Sequence, residues 1–175
     1  WIPVCTMLVG AGVGFINDYY DVVHNGRGLR LKVRILIISV LATAIGWWFY
    51  TKLGVSSIGV PFDGSLWIGW LIIPFFVLLT NALYASGVID GIDGLSGGVF
   101  ASIFFSYAGI AFIQNQFDLA AFCATVAGAI LAFLWFNIPP ARFWMTETGS
   151  MALTLALAVV VLMTDDLGEG KGIAL

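Results

Sequence analysis

Charge is what this chain has least of. Of its 175 residues only 10% are Asp, Glu, Lys or Arg, against about 25% in soluble domains. That excludes an ordinary soluble domain. The net charge of −3 decides little, because the distribution of charge outweighs its sum in a membrane protein. Cysteine is nearly absent. Cys5 and Cys123 lie in apolar runs, make no disulfide framework, and read as free thiols packed among helices. His24 is the single histidine, and a lone imidazole is a poor candidate for a metal ligand. No basic segment precedes the first apolar run, so no signal peptide is expected. Repeats, low-complexity segments and a soluble-domain boundary are also lacking. No nucleic-acid partner is expected.

What remains is apolar. The chain is 61% hydrophobic with a mean hydropathy of +1.02. A bilayer core about 30 Å thick is crossed by about 20 apolar helical residues. Five complete spans fit: Val33–Tyr50, Leu66–Ala85, Leu95–Ile113, Leu119–Ile138 and Gly149–Met163. Trp1–Ile16 reads as the tail of another, and both ends are expected to be cut. The fold expected is all-α, a polytopic transmembrane bundle of about five complete spans plus partial ones, forming one membrane domain over 1–175. Pro74 falls inside the second full span and should kink it. Gly149–Met163 is short, and should extend upstream or tilt. Gly10, Gly12 and Gly14 should permit close helix approach.

Alternation of spans sorts the connections. Asn17–Lys32, Ser86–Gly94 and Pro139–Thr148 fall on one side; Thr51–Ser65, Gln114–Asp118 and Thr164–Lys171 fall on the other. Arg27, Arg30, Lys32, Arg34 and Arg142 lie on the first side, and only Lys52 and Lys171 on the second. The positive-inside rule makes the first side cytoplasmic. Asp18, Asp21, Asp90, Asp93 and Glu147 fall there too. One apolar chain thus gathers three acidic loops and most of its cations at one face. Asp165, Asp166 and Glu169 lie on the outer side and read as solvated.

Those residues suit phosphoryl chemistry. Mg²⁺ takes hard oxygen ligands, usually one or two carboxylates with water and substrate phosphate. Asp90, Asp93, Asp18 and Glu147 could supply them. Arg and Lys neutralise phosphate charge, and a carboxylate can place or deprotonate the nucleophile. Plainer roles stay open. Asp90 and Asp93 could cap the helix starting near Leu95, and Asp18 could be a solvated interfacial charge. Glu147 could complement a helix N-terminus beginning at Thr148-Gly149-Ser150, whose free N–H groups also suit a phosphate. Arg27, Arg30, Lys32 and Arg34 could hold anionic lipid or set topology. Asn81, near a span end, could bond a neighbouring helix or touch substrate.

Four motifs in series resemble the polyprenyl-phosphate N-acetylhexosamine-1-phosphate transferases, most closely the phospho-N-acetylmuramoyl-pentapeptide-transferase family. Gly14-Phe15-Ile16-Asn17-Asp18-Tyr19 is similar to a Gly-Phe-Ile-Asp-Asp-Tyr element, and Gly28-Leu29 with Lys32 and Arg34 to a Lys-Gly-Leu stretch with a downstream base. Asn81-Ala82 and Asp90-Gly91-Ile92-Asp93-Gly94-Leu95 resemble its Asn-Ala and Asp-Gly-Leu-Asp-Gly-Leu element. Met145 to Ser150 is similar to Met-Gly-Asp-x-Gly-Ser. The resemblance implies transfer of phospho-N-acetylmuramoyl-pentapeptide from UDP to undecaprenyl phosphate, giving lipid I and UMP in peptidoglycan synthesis. It implies Asp18 at the lipid phosphate, Asp90 and Asp93 at the catalytic centre, and Glu147 on Mg²⁺. It implies substrate contacts from Lys32, Arg34, Asn81, Gly149 and Ser150. The partners implied are a UDP-sugar donor, a polyprenyl phosphate acceptor and membrane lipid, with a homodimer allowed. The place implied is the bacterial inner membrane, with a cytoplasmic active site.

The chain departs from that pattern. Asn17 replaces the first acid of a pair, Glu147 an Asp, Thr146 a Gly and Arg34 a Lys. Three extra residues separate Asn81 from Asp90, and a later His-rich loop is missing. A second enzyme reading changes the donor to UDP-N-acetylglucosamine. Readings of other classes are a transporter, which needs mid-span acids, and a non-catalytic membrane fragment.

Overall fold

A computed structural model describes residues 1–24, 29–60, 64–88 and 92–167. Among the described residues there are six α-helices: α1 Ile2–Val23, α2 Leu31–Trp48, α3 Ile72–Val88, α4 Leu95–Ile113, α5 Phe117–Asn137 and α6 Glu147–Leu167. A π-helical turn, Phe49–Leu53, extends α2. The short strands β1 Ser57–Val60 and β2 Gly64–Trp67 pair as one sheet. The fold is the expected all-α one, and among the described residues five helices are long and apolar enough to cross a membrane.

Membership of that set differs from expectation in two places. The first helix runs on past Ile16 to Val23, and its 22 residues make it one of the five. The span expected over Leu66–Ala85 is instead a strand end, a single 3₁₀ turn at Gly69–Leu71, and α3. Its apolar helical stretch, Gly69–Ala85, falls in the shorter class of 10–17 residues. Pro74 therefore sits in the first turn of α3 rather than mid-helix. There its missing N–H has no intrahelical partner to lose, so no kink is needed. At the other end of the chain, α6 begins two residues upstream of Gly149, as its short apolar run required.

The chain forms two compact units. The first takes the described residues of Trp1–Ser57, Trp67–Val88 and Thr146–Val159; the second takes those of Ile58–Leu66, Ile89–Met145 and Val160–Leu175.

In the first unit α1 presses on the beginning of α6. A Cβ on Gly10 would lie 2.7 Å from Met151 O; one on Gly14 would lie 2.5 Å from Thr148 Cα and closer still to Glu147 O. Two glycines four apart share one helix face, so backbone meets backbone. Gly12, expected to do the same, faces open space. Ile38, Tyr84 and Met151 bury together with Val13 against them. Across α2 and α3, Asn81 donates from Nδ2 to Ser39 Oγ at 3.0 Å. In lipid such a bond stabilises helix pairing by about 0.6 kcal/mol.

In the second unit α4 and α5 form a helix pair. Their faces carry Phe100, Phe104, Cys123, Val126 and Ile130, all buried. Cys5, on α1 in the first unit, is exposed rather than packed; both thiols are free. Asp165 also departs from expectation. It is 4% exposed, and its Oδ2 accepts from Gly59 N–H at 2.9 Å. A backbone amide at the strand thus replaces the water expected around it.

Candidate functional site

In the first unit the end of α1, the start of α2, the end of α3 and the start of α6 meet through side chains. Span alternation predicts that these four ends share one side. Asp18 lies at the last turn but one of α1. Its Oδ1 accepts from Glu147 N–H at 3.2 Å, and its Oδ2 from Thr148 N–H at 3.0 Å and Thr148 Oγ1 at 2.5 Å. Helix N-termini leave N–H groups without intrahelical partners and favour negative charge. A carboxylate from another helix supplies both needs here, so Asp18 caps α6 rather than standing solvated.

Glu147 opens α6. Arg34 Nη1 donates to its Oε1. Tyr84 O–H donates to its Oε2 at 2.7 Å. Tyr84 is 1% exposed, so the ring packs in the core while its hydroxyl reaches a charge, as amphipathic aromatics do. Arg34 Nε is buried with no acceptor. Asn17 is buried, and its Oδ1 accepts from Leu29 N–H at 3.1 Å. The residue standing for the first acid of a pair thus holds the chain that leads into α2.

In the second unit Asp93 precedes α4. Its Oδ2 accepts from Ala141 N–H and its Oδ1 from Trp144 Nε1–H, each at 3.2 Å. Asp93 does not cap α4. The capping position is Gly94, at φ 84°, with no side-chain cap bond, and that left-handed backbone favours glycine. Asn137, the last residue of α5, joins the same region. Its Oδ1 accepts from Gly94 N–H at 2.9 Å and its Nδ2 donates to Phe143 O at 2.6 Å. It ties the loop after α5 to the start of α4.

Other sequence-predicted residues are placed as follows. Asp90 lies outside the described residues. Lys32 is exposed on the first turn of α2 and joins none of these bonds. Asn81 bonds Ser39 and its own helix at Val77 O, which is the helix-pairing role. Gly149 and Ser150 donate their N–H groups to Thr146 O at 3.1 and 3.0 Å. With the first two N–H groups on Asp18, the α6 terminus offers no unengaged N–H over Glu147–Ser150. His24 stacks on Tyr20. Sequence reasoning missed Tyr84 and Asn137. The signal was present for both: Tyr84 follows Asn81 by three residues, on the same helix face, and Asn137 is a polar residue at a span end.

The magnesium expected at Glu147 meets a carboxylate with both oxygens engaged, one of them by a cation. Among the described residues no three of His, Cys, Asp and Glu group as a metal site. Asp18, Glu147 and Arg34 together carry one net negative charge, and it rests on the acid whose oxygens hold three donors. A divalent ion bound by one or two carboxylates does not fit this arrangement.

Residues 1–165 match Glycosyl transferase family 4. Among similar curated proteins is the phospho-N-acetylmuramoyl-pentapeptide-transferase of Geobacillus sp. (strain WCH70), 38% identical over 162 residues, covering 89% of this chain and 49% of that protein. That of Geobacillus kaustophilus (strain HTA426) is 40% identical over 161 residues, with the same two shares. That of Clostridium beijerinckii (strain ATCC 51743 / NCIMB 8052) is 35% identical over 159 residues, covering 86% and 48%. The chain spans about half the length of these relatives. On a match that runs from its first residue through the α6 helix, the chain belongs to Glycosyl transferase family 4.

Proposed function

We propose that the protein transfers a phospho-sugar from a UDP donor to a polyprenyl phosphate in peptidoglycan synthesis, the donor being UDP-N-acetylmuramoyl-pentapeptide. An oxygen of the lipid phosphate attacks the sugar-bearing phosphorus. The bond from that phosphorus to the bridging oxygen breaks, and UMP leaves with the electron pair. The products are lipid I and UMP. The names of the relatives support the donor. Little covalent work falls to the protein in such a step; positioning and charge carry it.

The observation that carries this reading is Asp93. It is half-buried at the start of α4, and among the described residues its donors are neutral, Ala141 N–H and Trp144 Nε1–H. A carboxylate that meets no cation among the described residues is open to a substrate group. In this reading Asp93 orients the reacting groups with Asp90, which precedes it by three residues. Asp18 positions rather than takes a proton, because its oxygens hold the α6 terminus. Lys32 attracts phosphate, and the positive-inside count supports a cytoplasmic site at the bacterial inner membrane.

The test is UMP release with undecaprenyl phosphate and either UDP-N-acetylmuramoyl-pentapeptide or UDP-N-acetylglucosamine. Release is expected with the first donor, and a fall of at least about 100-fold in Asp93→Asn, the scale on which lost transition-state contacts act. Release with the second donor alone would change the sugar. Release by neither, or full turnover in Asp93→Asn, would overturn the reading.

A further inference from the structure

We propose that Arg34 is the resident counter-cation of Glu147, standing where a divalent ion would otherwise sit. Three observations meet at this carboxylate. Oε1 takes Arg34 Nη1–H, and Oε2 takes Tyr84 O–H. The pair is largely enclosed, with side chains 22% and 18% exposed, so solvent screens it weakly. The neighbouring acid, Asp18, has both oxygens on the α6 terminus and is unavailable as a second ligand.

Charge and geometry then agree. Guanidinium is planar and always charged, and pairs with carboxylates in buried or interfacial settings better than the hydrated ammonium of Lys does. Its charge cancels that of Glu147. A divalent ion entering the same oxygen would face a fixed cation and gain no net charge to neutralise. Tyr84 reinforces the arrangement from the core side, because its buried ring fixes where the hydroxyl points. The start of α6 is in this way closed by groups of the chain itself. The inference concerns metal binding, so it stands or falls separately from the transferase reading.

The experiment titrates Mn²⁺, a paramagnetic stand-in for Mg²⁺, into the purified protein in detergent without substrate, reading free Mn²⁺ by electron paramagnetic resonance. Glu147→Gln is expected to leave Mn²⁺ affinity within about twofold of wild type. Arg34→Gln uncovers the carboxylate and is expected to add one site at least tenfold tighter than any wild-type site. Arg34→Gln/Glu147→Gln should lose that site again. This double variant replaces both charges by neutral side chains, which is tolerated where a single break is not, so the comparison survives if a single variant fails to fold. A wild-type Mn²⁺ site missing from Glu147→Gln or from the double variant would overturn the proposal. So would an Arg34→Gln protein that folds and gains no site.

Discussion

At the start of α6 one carboxylate meets a guanidinium and the other meets N–H groups of the helix it caps. At the start of α4, Asp93 meets a loop amide and an exposed indole, both neutral. The first region is built on close backbone approach and paired charge. The second is built on a loop drawn in by amides, with no cation on its acid among the described residues. Acids of the same expected class therefore do different work in the two units. Paired acids hold helices together; an unpaired acid, kept half-buried by neutral donors, remains able to act on something else.

Packing is where the contrast breaks most sharply. Gly14→Ala puts a methyl group against the backbone of Glu147 and Thr148, which cannot rotate away. Gly97→Ala, on α4, meets the end of the Leu134 side chain at 2.7 Å, which can. Overpacking costs about 1–3 kcal/mol and more where nothing yields. Gly14→Ala is expected to lose at least about 3 kcal/mol and Gly97→Ala at most about 1, read by thermal unfolding in detergent. Gly12→Ala, facing open space, should be neutral or gain up to about 1 kcal/mol from helix propensity. Equal losses at 14 and 97 would remove the distinction between the two regions.

Next in size is Asn137→Ala. It leaves Gly94 N–H and Phe143 C=O without their partner, at about 1–3 kcal/mol for each unsatisfied group that stays dry. A loss of about 2–3 kcal/mol is expected, with faster proteolysis between Ile138 and Met145. Asp18→Asn should cost less, about 1–2 kcal/mol. Its amide oxygen still accepts one N–H, but the charge complementing the α6 terminus is gone. The readout is again thermal unfolding, and a loss that vanishes in high salt would assign it to charge rather than to hydrogen bonding.

These residues also show what was legible beforehand. The all-α class and four of the five long apolar helices follow from apolar run length alone, because lipid leaves backbone groups only their own helix to bond. Counting alternation puts Asp18, Arg34 and Glu147 at span ends of one side, and the structure joins all three in one unit. The partners did not follow. Nothing in local pattern says that Asp18 would cap a helix 129 residues later in the chain, or that Tyr84 would reach Glu147. Such pairings depend on which helices lie side by side, and hydropathy is blind to that. Leu66–Ala85 misled for a related reason. Its length and apolarity suited a span, but Gly69, at φ 55°, and Pro74 mark a chain that turns before it becomes helix.

The smallest effect is expected at Trp144→Phe, and it sharpens the comparison most finely. The indole is 69% exposed, so its hydrogen bond to Asp93 competes with water, and losing it should cost under about 1 kcal/mol. Asp93 would still accept from Ala141 N–H, which fixes its other oxygen to the loop backbone. If that amide sets the direction of the carboxylate, UMP release in Trp144→Phe should fall by no more than about fivefold, far less than in Asp93→Asn. A fall as large as that of Asp93→Asn, with stability unchanged, would mean that the indole aims Asp93 or itself meets substrate. The loop after α5 would then belong to the reacting surface and would not merely support it.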